Sequence, residues 1–195
     1  MSLETAEKMI DLLLTGEKGM KEYINPHKSP GLIIDFIGGE PLLEAKLIDQ
    51  ICSYAIGRMI ELNHPWLDKT MFSICSNGTL YHDPEVMKVL DKWKNRLSFS
   101  VTVDGNQELH DSCRIFPDGS PSYDLAVSAA KDWMDKGNYM GSKITIAPAN
   151  VMHTYDAIIH MFELGYNEIN ANCVYEDGWK PVSYTHLRAH ETGRN

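Results

Sequence analysis

The stretch "LIIDFIGGEPLLEAKLIDQI" (residues 32–51) decides the fold of this chain. An apolar run that is typical of a buried strand ends at two glycines, a glutamate and a proline, and apolar residues at helical spacing follow at once. A strand that leads through a short turn into a helix is the repeating unit of parallel α/β folds. We therefore expect a strand over residues 32–37 and a helix over residues 42–62.

The same unit recurs along the chain. Further apolar, β-rich runs occupy residues 71–75, 97–103, 143–147 and 168–175, and helical patterns occupy residues 83–93, 122–134 and 154–164. An additional helix is predicted to begin after Ser2 as N-cap, with Met9, Ile10 and Leu13 on its apolar face. The alternation predicts an α/β fold of about five parallel strands covered by helices.

The composition excludes several classes of function. A chain of 195 residues with 43% hydrophobic and 23% charged residues fits one globular domain with its own core. Its formal net charge of -9 argues against a nucleic-acid partner, which would require a basic face. No apolar run approaches the roughly 20 residues that span a bilayer, and the N-terminus lacks a signal-peptide pattern. We therefore expect a cytoplasmic protein without a membrane partner.

The four cysteines, Cys52, Cys75, Cys113 and Cys173, are scattered along the chain and form no C-x-x-C pair. In a cytoplasmic protein this pattern favours reduced thiols over disulfides. The spacing also matches no zinc or iron–sulfur ligand set, so we expect no metal site within this chain.

The predicted strands end in polar residues, glycine or proline, at the position where parallel α/β folds bind their ligands. These ends are Gly38-Gly39-Glu40-Pro41, Ser76-Asn77-Gly78, Asp104-Gly105, Ala147-Pro148 and the pair Asn170 and Asn172. The two asparagines alternate with apolar residues, so they share one face of a strand, where asparagine is disfavoured. A polar ligand face at this edge of the sheet accounts for all five ends.

Each motif taken alone has a simpler explanation. The first could be a tight turn whose proline opens a helix, and Asn77 also favours a turn. Asp104 could cap a solvated helix, and His110 is more often a packing histidine than a base. In the functional alternative, Glu40 accepts hydrogen bonds from an ammonium group. A phosphate ligand is not indicated, because the sequence lacks the glycine patterns of phosphate loops.

Together these motifs resemble the core of the radical S-adenosylmethionine (radical SAM) enzymes. "FIGGEPLLE" resembles the strand motif whose glycines and glutamate receive the amino group of the cofactor in that superfamily, and "SNGTL" resembles the next strand end. "VTVDGNQELHDSCRIFPDGSPSYD" is similar to a segment of its peptide-modifying members. "HPWLDK" and "EINANCVYEDGW" resemble the peptide maturases that act on CXXX-repeat precursors, and sulfatase-maturing enzymes are more distant relatives.

The resemblance implies a partial (β/α)6 TIM-like barrel and a set of cofactor contacts. It assigns these residues to S-adenosylmethionine: Gly38, Gly39, Glu40, Pro41, Asn77, Thr102, Arg114, Asn170 and Asn172. Asp104 and His110 are the catalytic candidates. In the complete family a [4Fe–4S] cluster, reduced by a flavodoxin or ferredoxin, cleaves the cofactor to a 5′-deoxyadenosyl radical that abstracts hydrogen from a precursor peptide.

The sequence departs from the family because the C-x3-C-x2-C motif for the cluster is missing and no cysteine precedes Gly38. We therefore expect residues 1–180 to be a partial core domain that lacks the cluster-binding N-terminal strand and loop and is catalytically inert by itself. The tail "PVSYTHLRAHETGRN" (residues 181–195) changes composition abruptly and is similar to a translated sequencing adapter. We predict that this tail is not native and that the reading frame is truncated at both ends.

Alternative interpretations remain at the level of sequence. A sulfatase-maturase-like radical SAM protein would carry the same strand-end motifs. A cluster-free barrel of the aldolase or isomerase kind could use Glu40, Asp104 and His110, but it would need a lysine or a metal at the strand ends. A non-catalytic barrel of the same fold could bind a leader peptide. Calorimetry with S-adenosylmethionine and with a precursor peptide separates an enzyme core from the last two alternatives.

Overall fold

The computed structural model describes residues 1–17, 24–25, 28–175 and 177–180, in which five strands alternate with six helices. The strands are β1 (Leu32–Phe36), β2 (Thr70–Ser76), β3 (Leu97–Val101), β4 (Gly141–Ile146) and β5 (Glu168–Cys173). The helices are α1 (Leu3–Thr15), α2 (Ala45–Glu61), α3 (Pro84–Trp93), α4 (Gln107–Asp111), α5 (Tyr123–Asp135) and α6 (Thr154–Glu163). All five predicted strands are present, and the predicted adapter tail, residues 181–195, lies outside the described residues.

The helix ends follow from local sequence. The Oγ of Ser2 accepts a hydrogen bond from the backbone N–H of Thr5 at 3.2 Å, and α1 ends at Gly16, whose φ of 66° is left-handed. Asp83 caps α3 by accepting from the N–H of Glu85 at 2.8 Å, with proline at the first helical position. No helix in the described part of the chain combines the length and apolarity that crossing a membrane requires.

The buried face of the first helix and the start of the second differ from those predicted. The core side of α1 carries Ala6, Ile10 and Leu14, whereas Met9 is 54% exposed. Leu43 precedes α2, in a 3-10 turn (Pro41–Glu44), and is 71% exposed. Because that turn changes the rotation of successive residues, the apolar period of α2 starts only at Ala45.

The strands form one sheet in the order β1-β2-β3-β4-β5. β1 pairs with β2 in parallel, with Leu32 opposite Thr70, and β4 pairs with β5 in parallel, with Gly141 opposite Glu168. β3 is also parallel to β4. Parallel neighbours need crossover connections, which the helices between them supply. The predicted fold class, five parallel strands with covering helices, is confirmed.

Residue contacts divide the chain into two compact units, and the first comprises Met1–Ile74 and Leu80–Ser98. Its core is formed mainly by α1 and α2, through Ala6, Ile10, Leu14, Ile51, Ala55, Met59 and Trp66. Leu32, Ile34 and Phe36 of β1 pack against this cluster. Because successive strand residues face opposite sides, Ile33 and Asp35 lie on the other face, where Ile33 is 69% exposed.

The second unit comprises Cys75–Thr79 and the chain from Phe99 onward. In its core, Ile144, Ile146 and Val151 form a cluster against which Ile158 of α6 and Ile169 of β5 pack. Alternation therefore puts Lys143 and Thr145 of β4, and Asn170 and Asn172 of β5, on the face directed away from that cluster.

Candidate functional site

In the first unit, the turn after β1 leaves the backbone of two glycines open. Gly38 has a φ of +136°, a conformation that L side chains rarely adopt, and Gly38 and Gly39 are both exposed. A Cβ added to either glycine would meet no atom within 4 Å. The protein therefore leaves space beside both glycines into which a ligand could approach the main chain.

Glu40 and Pro41 start the helical segment that follows. The Oε1 atom of Glu40 accepts a hydrogen bond from the N–H of Leu42 at 3.0 Å, so Glu40 is the N-cap of the Pro41–Glu44 turn. This confirms that the proline opens a helical turn. An ionised carboxylate can accept several hydrogen bonds at once, so the cap bond does not by itself exclude a cationic ligand at Glu40.

In the second unit, the segment after β2 is a tight turn. Asn77 Oδ1 accepts from the N–H of Thr79 at 2.9 Å and from its Oγ1 at 2.8 Å. Gly78 has a φ of +77°, and a Cβ there would lie 2.8 Å from Val101 Cγ1 and 3.2 Å from Ala126 Cα. The glycine is thus required by packing, and the simpler turn explanation applies to this motif whether or not Asn77 contacts a ligand.

Thr102 follows β3 and is buried at 7% exposure. Its N–H donates to the carbonyl of Ser76 at 2.9 Å, and its Oγ1 lies 3.6 Å from Cys75 Sγ. The backbone bond joins the ends of β2 and β3 within the second unit, so the position of Thr102 is fixed by the ladder of the sheet.

Asp104 is a buried carboxylate with one charged partner and one backbone partner. Its Oδ2 pairs with the Nε of Arg114, and its Oδ1 accepts from the backbone N–H of Thr145 at 2.9 Å. Its side chain is 2% exposed, whereas that of Arg114 is 30% exposed. Asp104 is therefore not the cap of α4; that cap is Asn106, whose Oδ1 accepts from the N–H of Leu109 at 2.9 Å.

His110 is 1% exposed, and both of its ring nitrogens have partners. Nδ1 accepts from the N–H of Asp104 at 3.3 Å, so Nε2 carries the hydrogen and donates to the Oγ of Ser122 at 3.0 Å. The hydroxyl of Ser122 in turn donates to the carbonyl of Arg114 at 2.7 Å. Burial lowers the pKa of His110 below its usual 6.5, and nearby Asp104 opposes that shift.

These contacts unite Asp104, His110 and Arg114 in one hydrogen-bonded network, which also includes Ser122 and Asp111. Asp111 Oδ1 accepts from the N–H groups of Ser122 and Tyr123, both at 3.0 Å, and so caps α5 from another element. Sequence reasoning did not identify Ser122, because a serine 12 residues from His110 carries no local signal of this contact.

The two asparagines of β5 are exposed and lie on the strand face directed away from the cluster of Ile144, Ile146 and Val151. Asn170 Nδ2 donates to Glu168 Oε1 at 2.9 Å. With its amide oxygen oriented toward β4, Asn172 accepts from Lys143 Nζ at 2.9 Å. The predicted sharing of one face is therefore present, and Lys143 adds a cation to it that the sequence analysis did not select.

The described residues do not form a metal site. No three of their histidine, cysteine, aspartate and glutamate side chains are grouped so that they could hold a metal ion. The four cysteines are free and lie on α2, β2, the segment after α4 and β5, and no three of them belong to such a group.

The sequence was compared with protein families and with curated proteins. No family model matches the sequence. Among curated proteins, the chain is 32% identical over 125 residues to the serine-type anaerobic sulfatase-maturating enzyme of Bacteroides thetaiotaomicron, an alignment of 59% of this chain and 25% of that enzyme. It is 30% identical over 124 residues to an uncharacterised protein of Methanocaldococcus jannaschii, covering 63% of this chain and 35% of that protein. The chain therefore spans only a quarter to about a third of these relatives.

Solved structures share the fold over nearly the whole chain. Native anSMEcpe with bound AdoMet and the Kp18Cys peptide has a TM-score of 0.73 at 20% identity, covering 96% of this chain and 49% of that one. SuiB of Streptococcus suis, bound to S-adenosylmethionine, has a TM-score of 0.57 at 15% identity, covering 82% of this chain and 36% of that one. The resemblance to radical SAM maturases that the motifs indicated is confirmed by these structures and by the sulfatase-maturating relative.

Proposed function

We propose that this chain is the AdoMet-binding part of a radical SAM enzyme that modifies a ribosomally made peptide. When bound in a complete enzyme of this kind, AdoMet supplies a 5′-deoxyadenosyl radical that abstracts hydrogen from the substrate. The chain covers about half of the structures whose fold it shares, so the activity belongs to the longer protein. The observation that carries the proposal is the open Gly38-Gly39 backbone followed by Glu40 at the end of β1, in a fold that AdoMet-binding enzymes share.

The residues of the first unit suit the methionine end of AdoMet. Gly38 and Gly39 allow the amino group close to main-chain atoms, and the Glu40 carboxylate provides a charge-assisted acceptor for it. Pro41 fixes the chain direction after the glutamate, and the Leu42 N–H orients the carboxylate through the 3.0 Å cap bond. Glu40 therefore reaches its ligand already oriented, which limits the entropy lost on binding.

The resemblance also assigns polar residues of the second unit to ligands. The Arg114 guanidinium uses its Nε on Asp104, and the rest of its fork can bind an anion. The hydroxyl, ring and peptide groups of the ligands are assigned to four further residues. These are Asn77 and Thr102 at the strand ends, and Asn170 and Asn172 on β5.

Asp104 and His110 are assigned a positioning role. Asp104 is ionically paired with Arg114, and both nitrogens of His110 are occupied by Asp104 and Ser122. A histidine with a lowered pKa and no open nitrogen is poorly suited to exchange protons with a substrate. Asp104 instead holds the Arg114 side chain in place through the ion pair. His110 holds the Arg114 carbonyl in place through the hydroxyl of Ser122.

The residues present do not fit a [4Fe–4S] cluster, because their cysteines are dispersed. The proposal for this chain is therefore limited to binding of AdoMet and peptide. A reductant such as flavodoxin or ferredoxin would act on the longer protein.

Isothermal titration of the complete 195-residue chain with AdoMet tests the proposal. We expect saturable binding that Glu40→Gln weakens by about tenfold, since a hydrogen bond to a charged group contributes about 1.5–3 kcal/mol. Glu44→Gln is the matched control, because Glu44 lies on the same 3-10 turn, is exposed and has the same charge. Heat changes that do not saturate, or equal weakening by both substitutions, would refute the assignment of Glu40.

A sulfatase-maturase activity is the second candidate, favoured by the 32% identity to such an enzyme. Peptides distinguish the two functions: a CXXX-repeat precursor against a sulfatase-derived peptide with a central cysteine or serine. We expect the longer protein to modify the CXXX-repeat peptide, detected as a change in the mass of that peptide. Exclusive turnover of the sulfatase peptide to a formylglycine product would favour the second candidate.

A further inference from the structure

A cavity of about 400 Å³ lies in the second unit, between α4 with its flanking residues and the segment from the end of β4 to the first turn of α6. We call it the α4–α6 pocket. Among its lining residues, Leu109, Ala147 and Ala157 are buried or half-buried. Glu108, His153 and Asp156 also line it and are exposed. The pocket therefore has an apolar floor and a polar rim that carries two carboxylates.

Three uncharged polar residues of the lining, Asn106, Ser112 and Asn150, already bond within the protein. Asn106 caps α4, and Ser112 Oγ donates to the carbonyl of Leu109 at 2.6 Å. Asn150 accepts from the N–H of Ala147 at 2.7 Å and donates to the carbonyl of Thr145 at 2.9 Å. These groups shape the wall, so charge at the rim is the main feature left for recognition.

Glu108 and Asp156 have no ion-pair partner among the described residues, and neither lysine nor arginine lines the pocket. Their positions in the first turns of α4 and α6 explain why carboxylates are tolerated there. A place in the first turn of a helix does not explain why an apolar cavity lies beside these two carboxylates. A metal ion is not indicated, because no three suitable side chains in the described part of the chain are grouped around one point.

From this charge and shape we infer that the α4–α6 pocket binds a lysine or arginine side chain of the peptide substrate, with its aliphatic stem on Leu109 and Ala157 and its cation at Glu108 and Asp156. The inference rests on the proposed function for the identity of the ligand as a peptide. It adds that the substrate carries a basic anchor residue in addition to the residue that is modified.

NMR titration of the isotopically labelled 195-residue chain tests the inference with two synthetic pentapeptides that have central lysine or central norleucine. Norleucine keeps the aliphatic stem and removes the charge. We expect saturable shifts at the signals of Leu109 and Ala157 and about fivefold tighter binding of the lysine peptide, the upper range for an exposed ion pair. The preference should shrink at high salt.

The double variant Glu108→Gln/Asp156→Asn should bind the two peptides equally. Asp135→Asn/Glu163→Gln is the control, since it removes the same charge from exposed positions outside the pocket and should keep the preference. Equal binding of both peptides to the natural chain, shifts confined to other residues, or loss of preference in the control would overturn the inference. Because AdoMet is titrated separately, AdoMet binding without a lysine preference refutes only the pocket, and the reverse result refutes only the cofactor assignment.

Discussion

At the scale of single residues, His110 is the candidate whose contacts bear most on the positioning role proposed for it. Its two hydrogen bonds, to Asp104 and Ser122, tie the segment after β3 to the residue before α5. We expect His110→Ala to lower the free energy of unfolding by about 2–4 kcal/mol, because it leaves a cavity and unpaired buried groups. His110→Asn keeps an acceptor for the Asp104 N–H and should lose less. Urea denaturation measures both losses. The control is His153→Ala at an exposed position, which should change the free energy of unfolding by no more than about 0.5 kcal/mol.

The protonation of His110 gives an independent check of this role. Its pKa is lowered by burial, so between pH 6.5 and the lower folded value the unfolded chain binds a proton that the folded chain does not. The stability that depends on the neutral imidazole is therefore complete above pH 6.5 and falls as the pH decreases below it. The natural chain should lose more stability than His110→Asn between about pH 7.5 and pH 5. An identical pH dependence in both proteins would argue against a buried neutral imidazole.

At the scale of elements, Gly105 determines how closely the turn after β3 approaches α6. Its φ is +118°, and a Cβ there would lie 2.8 Å from Ala157 Cβ and 3.0 Å from Leu109 Cδ2. Gly105→Ala should lower stability by about 2–4 kcal/mol through backbone strain and overpacking together. Gly137→Ala is the matched control, since Gly137 has a φ of +81° and open space around it, and should cost only the strain. Equal losses in thermal or urea unfolding would mean that the close approach does not matter.

Among the elements, some could be predicted from the sequence and others could not. The five strands were predictable because each was a short β-rich run. The alternation within β1 was not, because Ile33 is as apolar as Leu32, Ile34 and Phe36 but is exposed. The helix α4 was not, since its five residues are too few for a helical period. The simpler alternative for Asp104, a helix cap, is wrong, because its carboxylate bonds to the N–H of Thr145, 41 residues away. Contacts at that separation leave no local trace in one sequence, so the strand-end positions could be predicted and the hydrogen-bond network could not.

At the scale of the whole molecule, the chain combines strand ends that we propose to bind AdoMet with cysteines that form no group of metal ligands among the described residues. Cys52 is buried in α2, where burial raises the pKa of its thiol, and Cys75, Cys113 and Cys173 lie on other elements. We expect anaerobic reconstitution with iron and sulfide to give no iron–sulfur absorbance and no 5′-deoxyadenosine from AdoMet, because a [4Fe–4S] cluster needs thiolates around one point. The control is a longer protein with a C-x3-C-x2-C motif, reconstituted in parallel. A cluster spectrum, or 5′-deoxyadenosine from the 195-residue chain alone, would show that ligands outside the described residues complete a site.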